Sequence, residues 1–151
     1  VIDDGDVPYP SATAELHHEV EMVIALASGG RDIPVEHALE KVYAYGIGLD
    51  LTRRDLQATA KKNGSPWDSD IGHPANAEIS LHVNGTLRQQ ADIADMVFSV
   101  AEIIHELSKF YELTSGDLIF TGTPAGVASL SRGDRFRAEL HGFAILEGRI
   151  I

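Results

Sequence analysis

Residues Leu16 to Leu26 carry the strongest constraint on the fold, because Leu16, His18, Val20 and Met22 alternate with His17, Glu19, Glu21 and Val23 before the turn Ser28-Gly29-Gly30. A period of two is the mark of a β-strand with two distinct faces. One face of this strand gathers Glu19 and Glu21, and the other gathers the apolar side chains and His18.

The rest of the chain is read around that strand. Pro34 followed by Ala38, Leu39 and Val42 predicts a short helix, and residues 42–50, rich in Tyr43, Tyr45 and Ile47, predict a second strand. Gly46 and Gly48 within it imply close backbone approach. Thr52-Arg53-Arg54-Asp55 fits a capping box and predicts a helix over 53–62, ended by Asn63-Gly64. Glu78–Val83 and 86–89 flank Asn84-Gly85, the strongest hairpin signal in the chain. Met96, Val97, Val100, Ile103, Ile104, Leu107 and Phe110 fall on one helical stripe, with Ser99 and Glu102 as a capping box partway along it.

Leu118-Ile119-Phe120 reads as a short apolar strand that stops at Thr121-Gly122-Thr123-Pro124-Ala125-Gly126, and 136–140 and 144–150 read as further strands. Residues 5–13, with Pro8 and Pro10, read as an extended surface arm. Strands dominate, so the fold class is α+β and β-rich. No repeat, heptad run or composition shift marks a second domain.

Composition removes several function classes. The 151 residues include 12 Lys and Arg against 23 Asp and Glu, a formal net charge of -11, whereas nucleic-acid grooves and anionic membranes call for clustered cations. There is no cysteine, which excludes disulfide scaffolds, thiolate metal sites and cysteine nucleophiles and suits a reducing compartment. The longest apolar run, 22–27, is far short of the roughly 20 residues of a membrane span, and the start carries no signal-peptide pattern. The expectation is a cytoplasmic protein without nucleic-acid or membrane partners. The two sequons at Asn63 and Asn84 are read as turns, because both contain Asn-Gly.

Chemistry concentrates on acids. Glu19 and Glu21 share a strand face, an arrangement equally suited to a solvated edge or to a hard divalent cation. Asp50 closes the second strand, where side chains of α/β connections point into crevices. Three carboxylates without cysteine suit magnesium or manganese. Arg54 and Gln57 are three residues apart on the predicted helix, where a guanidinium and an amide can grip a carboxylate or carbonyl, or simply face solvent. Thr121-Gly122-Thr123-Pro124-Ala125-Gly126 can present amides and hydroxyls to an anionic oxygen, or be a plain turn. His37, His73, His82, His105 and His141 show no ligand spacing, so zinc is not expected. Nucleotide and serine-hydrolase motifs are absent from the sequence.

Taken in order, Leu16-His17-His18-Glu19-Val20-Glu21-Met22, Gly48-Leu49-Asp50-Leu51-Thr52-Arg53-Arg54-Asp55-Leu56-Gln57, Val83-Asn84-Gly85 and Gly116-Asp117-Leu118-Ile119-Phe120-Thr121-Gly122-Thr123-Pro124-Ala125-Gly126-Val127 closely resemble the fumarylacetoacetate hydrolase family. The doubled Arg53-Arg54 and the His-His-Glu-Val-Glu strand look most like its bacterial fumarylpyruvate hydrolase branch.

The resemblance implies a mixed β-roll with flanking helices, a homodimer, and one magnesium or manganese ion, with calcium as a substitute in crystals. Glu19, Glu21 and Asp50 match the family's metal ligands. Arg54, Gln57 and Thr123 match positions that contact a small keto acid, and Thr121 and Gly122 shape the same turn. The implied reaction is cleavage by water of a carbon–carbon bond in fumarylpyruvate or a related acylpyruvate, with the metal as Lewis acid, in the catabolism of aromatic compounds. Oxaloacetate decarboxylation, isomerisation of a dienoic diacid and a non-catalytic metal-binding domain remain as alternatives.

The family also carries a His that works with a Glu as general base ahead of the Leu-His-His-Glu segment, and a catalytic Lys in a loop that would follow Pro66-Trp67-Asp68. Neither has a counterpart in the sequence, which jumps to Ser69-Asp70-Ile71. We therefore expect residues 1–151 to be one catalytic domain lacking its N-terminal part and a lid loop near 68–70, with the base and lysine unassigned. His17, on the face of Glu19 and Glu21, is expected to support a ligand carboxylate by a hydrogen bond rather than to carry protons.

Overall fold

Leu16, Val20, Met22, Ile24 and Leu26 are buried along one side of an eleven-residue strand, as their alternation requires. The computed structural model describes residues 5–11, 13–55 and 77–151. In chain order these form β1 (Gly5–Val7), β2 (Leu16–Leu26), α1 (Val35–Ala38), β3 (Val42–Arg53), β4 (Glu78–Val83), β5 (Thr86–Asp92), α2 (Val100–Phe110), β6 (Leu118–Phe120), β7 (Ala128–Leu130), β8 (Arg135–Leu140) and β9 (Ala144–Ile150).

The strands make two sheets. One runs β1-β9-β8-β4-β5; the other runs β3-β2-β6, with β7 also paired to β2. The β1–β9 pairing is parallel and the remaining ladders are antiparallel, so the five-stranded sheet is mixed and the other is antiparallel throughout. A single hydrophobic cluster joins Val20, Met22 and Ile24 of β2 to Ile79, Leu81 and Val83 of β4 and to Phe136, Ala138 and Leu140 of β8. Ile103 and Ile104 of α2 enter the same cluster, and α1 and α2 pack on each other. This is the β-rich α+β roll with flanking helices anticipated from the strand pattern and the motifs. Among the described residues no helix is long and apolar enough to cross a membrane.

The Asn84-Gly85 turn forms as its sequence dictates, with φ of 51° and 76° at the two central positions. Strand β5 runs three residues past its predicted end, to Asp92, and a bulge between Leu81 and His82 shifts its register. The proline arm is partly ordered into sheet, since Gly5–Val7 pairs with Gly148, Arg149 and Ile150.

Two helix expectations need correction. Strand β3 continues beyond Asp50 to Arg53, and the Thr52 hydroxyl donates to Glu19 rather than to a helix amide. Helical geometry starts at Arg54 and Asp55, and Asp55 accepts hydrogen bonds from Thr13 and the Ala14 amide; the remainder of the predicted helix and Asn63-Gly64 lie outside the described residues. In α2 the capping box is the helix start and not a midpoint. Ser99 accepts from the Glu102 amide, while the Glu102 carboxylate accepts from the Ser99 amide. Two orphan donors are thereby satisfied at once, which outweighs continuing the apolar stripe toward Met96. Val97 and Phe110, counted in that stripe, are exposed.

Replacing Ser99 by Ala should lower unfolding free energy by about 1 kcal/mol, the usual cost of a lost N-cap. Urea titrations of the two proteins check this, with an unchanged m-value expected.

Candidate metal centre

The site begins with an interruption in a ladder. Along one edge β2 pairs with β3 from Leu16–Arg53 to Leu26–Val42. Along its other edge it meets β7 at residues 16–18 and β6 at residues 23–25. Among the described residues no strand covers that edge at 19–22. Buried backbone groups must still be paired, and side chains supply the partners. The Thr121 hydroxyl and amide donate to the Met22 carbonyl at 2.9 and 3.2 Å. The Thr123 hydroxyl donates to the Val20 carbonyl at 2.8 Å, and the Val20 amide donates to Gln89 Oε1 at 3.2 Å. The Thr-Gly-Thr-Pro turn therefore docks where a strand would otherwise lie.

On one face of this stretch, beside the docked turn, stand the acids. Glu19 lies directly across from Asp50, and Glu21 across from Gly48. One carboxylate oxygen from each of Glu19, Glu21 and Asp50 lies within 4.8 Å of the others. Glu21 is only 4% exposed, Glu19 is half-buried and Asp50 is open to solvent. Glu21 Oε2 accepts the Gly122 amide at 2.8 Å, so the docked turn also holds a carboxylate. Glu19 accepts the Thr52 hydroxyl at 3.1 Å and pairs with the Arg54 guanidinium.

Gly48 leaves room for this packing. A Cβ there would stand 2.5 Å from the Phe120 ring, as expected from the sequence, whereas Gly46 has nothing within 4 Å and does not mark a close approach.

Like charges 4 Å apart near a protein surface repel by about 4 kcal/mol, so three converging carboxylates need cations. Arg54 offsets one of them. The remaining donor set is all oxygen and partly open, which fits a hard divalent cation with room for further ligands and does not fit the soft or nitrogen-rich preferences of other metals.

The other residues singled out from the sequence are placed as follows. His17 shares the acid face, opposite Thr52 on β3 and Ser129 on β7; the hydrogen bonds to Glu19 come from Thr52 and Arg54. Thr121, Gly122 and Thr123 lie together in the docked turn. Both roles of the Thr123 hydroxyl are engaged, donating to Val20 and accepting from Gln89 Nε2 at 2.8 Å. Gln57 and the 68–70 junction lie outside the described residues.

Sequence reasoning missed Gln89 and gave His18 no task. Gln89, 1% exposed, also donates from Nε2 to the Pro124 carbonyl at 2.8 Å, and its Oε1 lies 2.8 Å from His18 Nδ1. Its amide orientation follows from its neighbours, since the Val20 amide needs an acceptor and the Pro124 carbonyl a donor. His18 therefore carries its proton on Nδ1. Burial holds the imidazole below its ordinary pKa, which favours the neutral ring. Its Nε2 is buried without a hydrogen-bond partner among the described residues.

A cavity of about 600 Å³ lies beside the turn, bounded by Met22, Ile93, Met96, Phe98, Thr121 and Pro124. A larger open groove of about 760 Å³, around Asp6, His82, Arg135, Arg137 and Arg149, includes none of the three carboxylates. Charge convergence, not volume, locates the chemistry.

Two measurements follow from this geometry. Long-range nitrogen–proton NMR correlations should show His18 protonated at Nδ1 and bare at Nε2 near neutral pH. At Gly126, φ is 108° and an added Cβ would lie 2.2 Å from the Arg88 carbonyl oxygen, whereas Gly133, at φ 93°, has open space. Gly126→Ala should therefore destabilise the protein clearly more than Gly133→Ala in parallel thermal melts, because only the first forces the turn away from β5.

Comparison with known proteins places this site in context. The family model described as fumarylacetoacetate (FAA) hydrolase C-terminal matches residues 1–151. A fumarylpyruvate hydrolase of Ralstonia sp is 38% identical over 154 residues, covering 91% of this chain and 80% of that protein. An oxaloacetate tautomerase of Escherichia coli strain K12 is 36% identical over 154 residues, covering 90% of this chain and 70% of the other. The solved structure of fumarylpyruvate hydrolase from Pseudomonas aeruginosa, in complex with Mn2+ and pyruvate, superposes with a TM-score of 0.91 at 42% identity, covering 98% of this chain and 71% of that one.

Proposed function

The chain belongs to the fumarylacetoacetate hydrolase family, and from that premise we propose that it hydrolyses a carbon–carbon bond in fumarylpyruvate or a related acylpyruvate, giving pyruvate and a carboxylic acid. The observation that carries the reading is the convergence of Glu19, Glu21 and Asp50 within 4.8 Å beside the Thr121–Gly122–Thr123 turn. The Mn2+ and pyruvate complex of the Pseudomonas aeruginosa relative supports manganese as the ion and a keto acid as the ligand, and magnesium, another hard cation, suits the same oxygen donors.

When bound, the cation supplies Lewis-acid stabilisation of charge developing on the keto-acid oxygens. The chain's own residues do the rest. Glu19, Glu21 and Asp50 would hold the ion, and Thr52 and Arg54 fix Glu19 in place. Arg54 can divide its donors between Glu19 and a substrate carboxylate, because a guanidinium presents five N–H groups. Gly122 holds Glu21, and the backbone of the same turn is proposed to border the keto-acid site. Gln57 is proposed as a further substrate contact and His17 as a support to the carboxylates.

A homodimer in a cytoplasmic setting completes the proposal. Leu118 and Phe120, two apart on one face of β6 and 48% and 37% exposed, are proposed as one apolar patch for self-association among several exposed apolar side chains. Light scattering behind size exclusion tests it, with twice the chain mass expected.

The second reading is proton transfer on oxaloacetate, favoured by the tautomerase relative at 36% identity. Isomerisation or decarboxylation of related diacids would use the same metal seat. The deciding experiment follows loss of fumarylpyruvate's enol absorbance with and without Mn2+, scored by pyruvate formed, alongside oxaloacetate tautomerisation and decarboxylation. Metal-dependent pyruvate release supports hydrolysis, and proton exchange alone supports the tautomerase. Glu21→Gln and Asp50→Asn should each abolish turnover and the rise in melting temperature on adding Mn2+, while far-UV circular dichroism stays unchanged. Undiminished stabilisation by Mn2+ in both variants would remove the carboxylates from the metal site.

A further inference from the structure

Gln89 belongs to the other sheet, yet its side chain reaches two elements of the acid site. The residue sits on β5 opposite Leu81, and its amide crosses to β2 and to the turn that follows β6. A carboxamide has two acceptor lone pairs and two N–H donors, and all four are used. Oε1 takes the Val20 amide at 3.2 Å and His18 Nδ1 at 2.8 Å; Nε2 gives to Thr123 Oγ1 and the Pro124 carbonyl, both at 2.8 Å.

The partners matter more than their number. Val20 is the residue between Glu19 and Glu21, so holding its amide fixes the backbone from which both carboxylates project. Thr123 and Pro124 directly follow Gly122, whose amide holds Glu21 Oε2. A single amide thus sets both ends of the Glu21 contact, the strand that carries the carboxylate and the turn that donates to it. Gly126 shows that the approach is close, because its missing Cβ would fall 2.2 Å from the carbonyl oxygen of Arg88, the residue before Gln89.

We propose that Gln89 is a positioning residue for the metal seat, clamping the Thr121–Pro124 turn to the strand between Glu19 and Glu21. It touches neither metal nor substrate; it sets where Glu21 stands. The inference rests on the reading of the three carboxylates as metal ligands. Glutamine suits the task because its neutral amide offers both donors and acceptors. A glutamate would turn an oxygen toward the Pro124 carbonyl and the Thr123 hydroxyl, whose proton is already given to Val20.

The test is Mn2+ binding to the full chain, followed by electron paramagnetic resonance, for the parent, Gln89→Leu, Gln89→Glu, Thr123→Val and the Gln89→Glu/Thr123→Val double variant. Supporting groups around a metal site are worth about ten- to a hundredfold in affinity. Each single variant should weaken Mn2+ binding by about that factor, with native far-UV circular dichroism and an altered spectrum at saturating metal. The double variant should lose little more than either single variant, because both cut one linkage.

A protein that merely loses packing would keep the parent spectrum at saturation, and that result overturns the proposal. So do folded Gln89→Glu and Thr123→Val proteins that bind like the parent, or losses that simply add in the double variant; in these cases parental binding leaves the metal seat standing. Should Gln89→Leu not fold, the comparison rests on Gln89→Glu and Thr123→Val. A parent chain that binds no Mn2+ overturns the metal seat and the proposal together, and is distinguished from the other outcomes by that control.

Discussion

The arrangement depends on a stretch of four residues, 19–22 of β2, whose backbone must be satisfied although the two short strands beside it pair only above and below. Had β6 and β7 been one continuous strand, the edge would be closed and no turn would reach the carboxylates. Because the ladder is broken, the chain inserts a Thr-Gly-Thr-Pro turn whose hydroxyls imitate a strand's donors. Sheet bonding thus becomes a device for bringing a backbone amide to Glu21. The energetic logic is conservative: the Thr123 hydroxyl satisfies the Val20 carbonyl, and the Met22 carbonyl takes the amide and hydroxyl of Thr121, where a buried carbonyl left alone would cost about 1 to 3 kcal/mol.

Electrostatics makes the opposite demand. Packing puts three acids on one patch of a chain that already carries a net charge of -11, and folding alone gives them little reason to stay close. Thr52 and Arg54, at the end of the neighbouring strand and just past it, supply a hydroxyl and a guanidinium to Glu19. The extension of β3 to Arg53 is what delivers them, so the length of one strand governs the charge balance of a site on another. The remaining excess of negative charge is what would draw a divalent cation to this position.

Much of this was legible in the residues. Alternation placed β2 and its two faces, Asn84-Gly85 placed the hairpin, and the ordered motifs linked Glu19, Glu21, Asp50 and the threonine turn. What stayed hidden was non-local. Counting outward from Asn84-Gly85 in unbroken register sets Gln89 against Ser80 and turns Arg88 toward the core. The bulge at Leu81 and His82 moves Gln89 opposite Leu81 and inward instead, and nothing in the local composition announces it. Thr52 misled for a related reason: a hydroxyl before an Arg-Arg-Asp segment is a good cap, but tertiary pairing kept it in strand and gave it Glu19. At Ser99 the local signal was sound and only its position in the helix was misjudged.

The long antiparallel ladder between β2 and β3 has one more consequence, for folding fidelity. A slip of a single residue in β2 would exchange its faces, sending Glu19 and Glu21 into the core and Val20 and Met22 out to water. The same acids proposed as metal ligands therefore act as a proofreading device during assembly, penalising every odd misalignment by the cost of burying charge. Metal binding, as proposed, and correct strand pairing then draw on the same side chains.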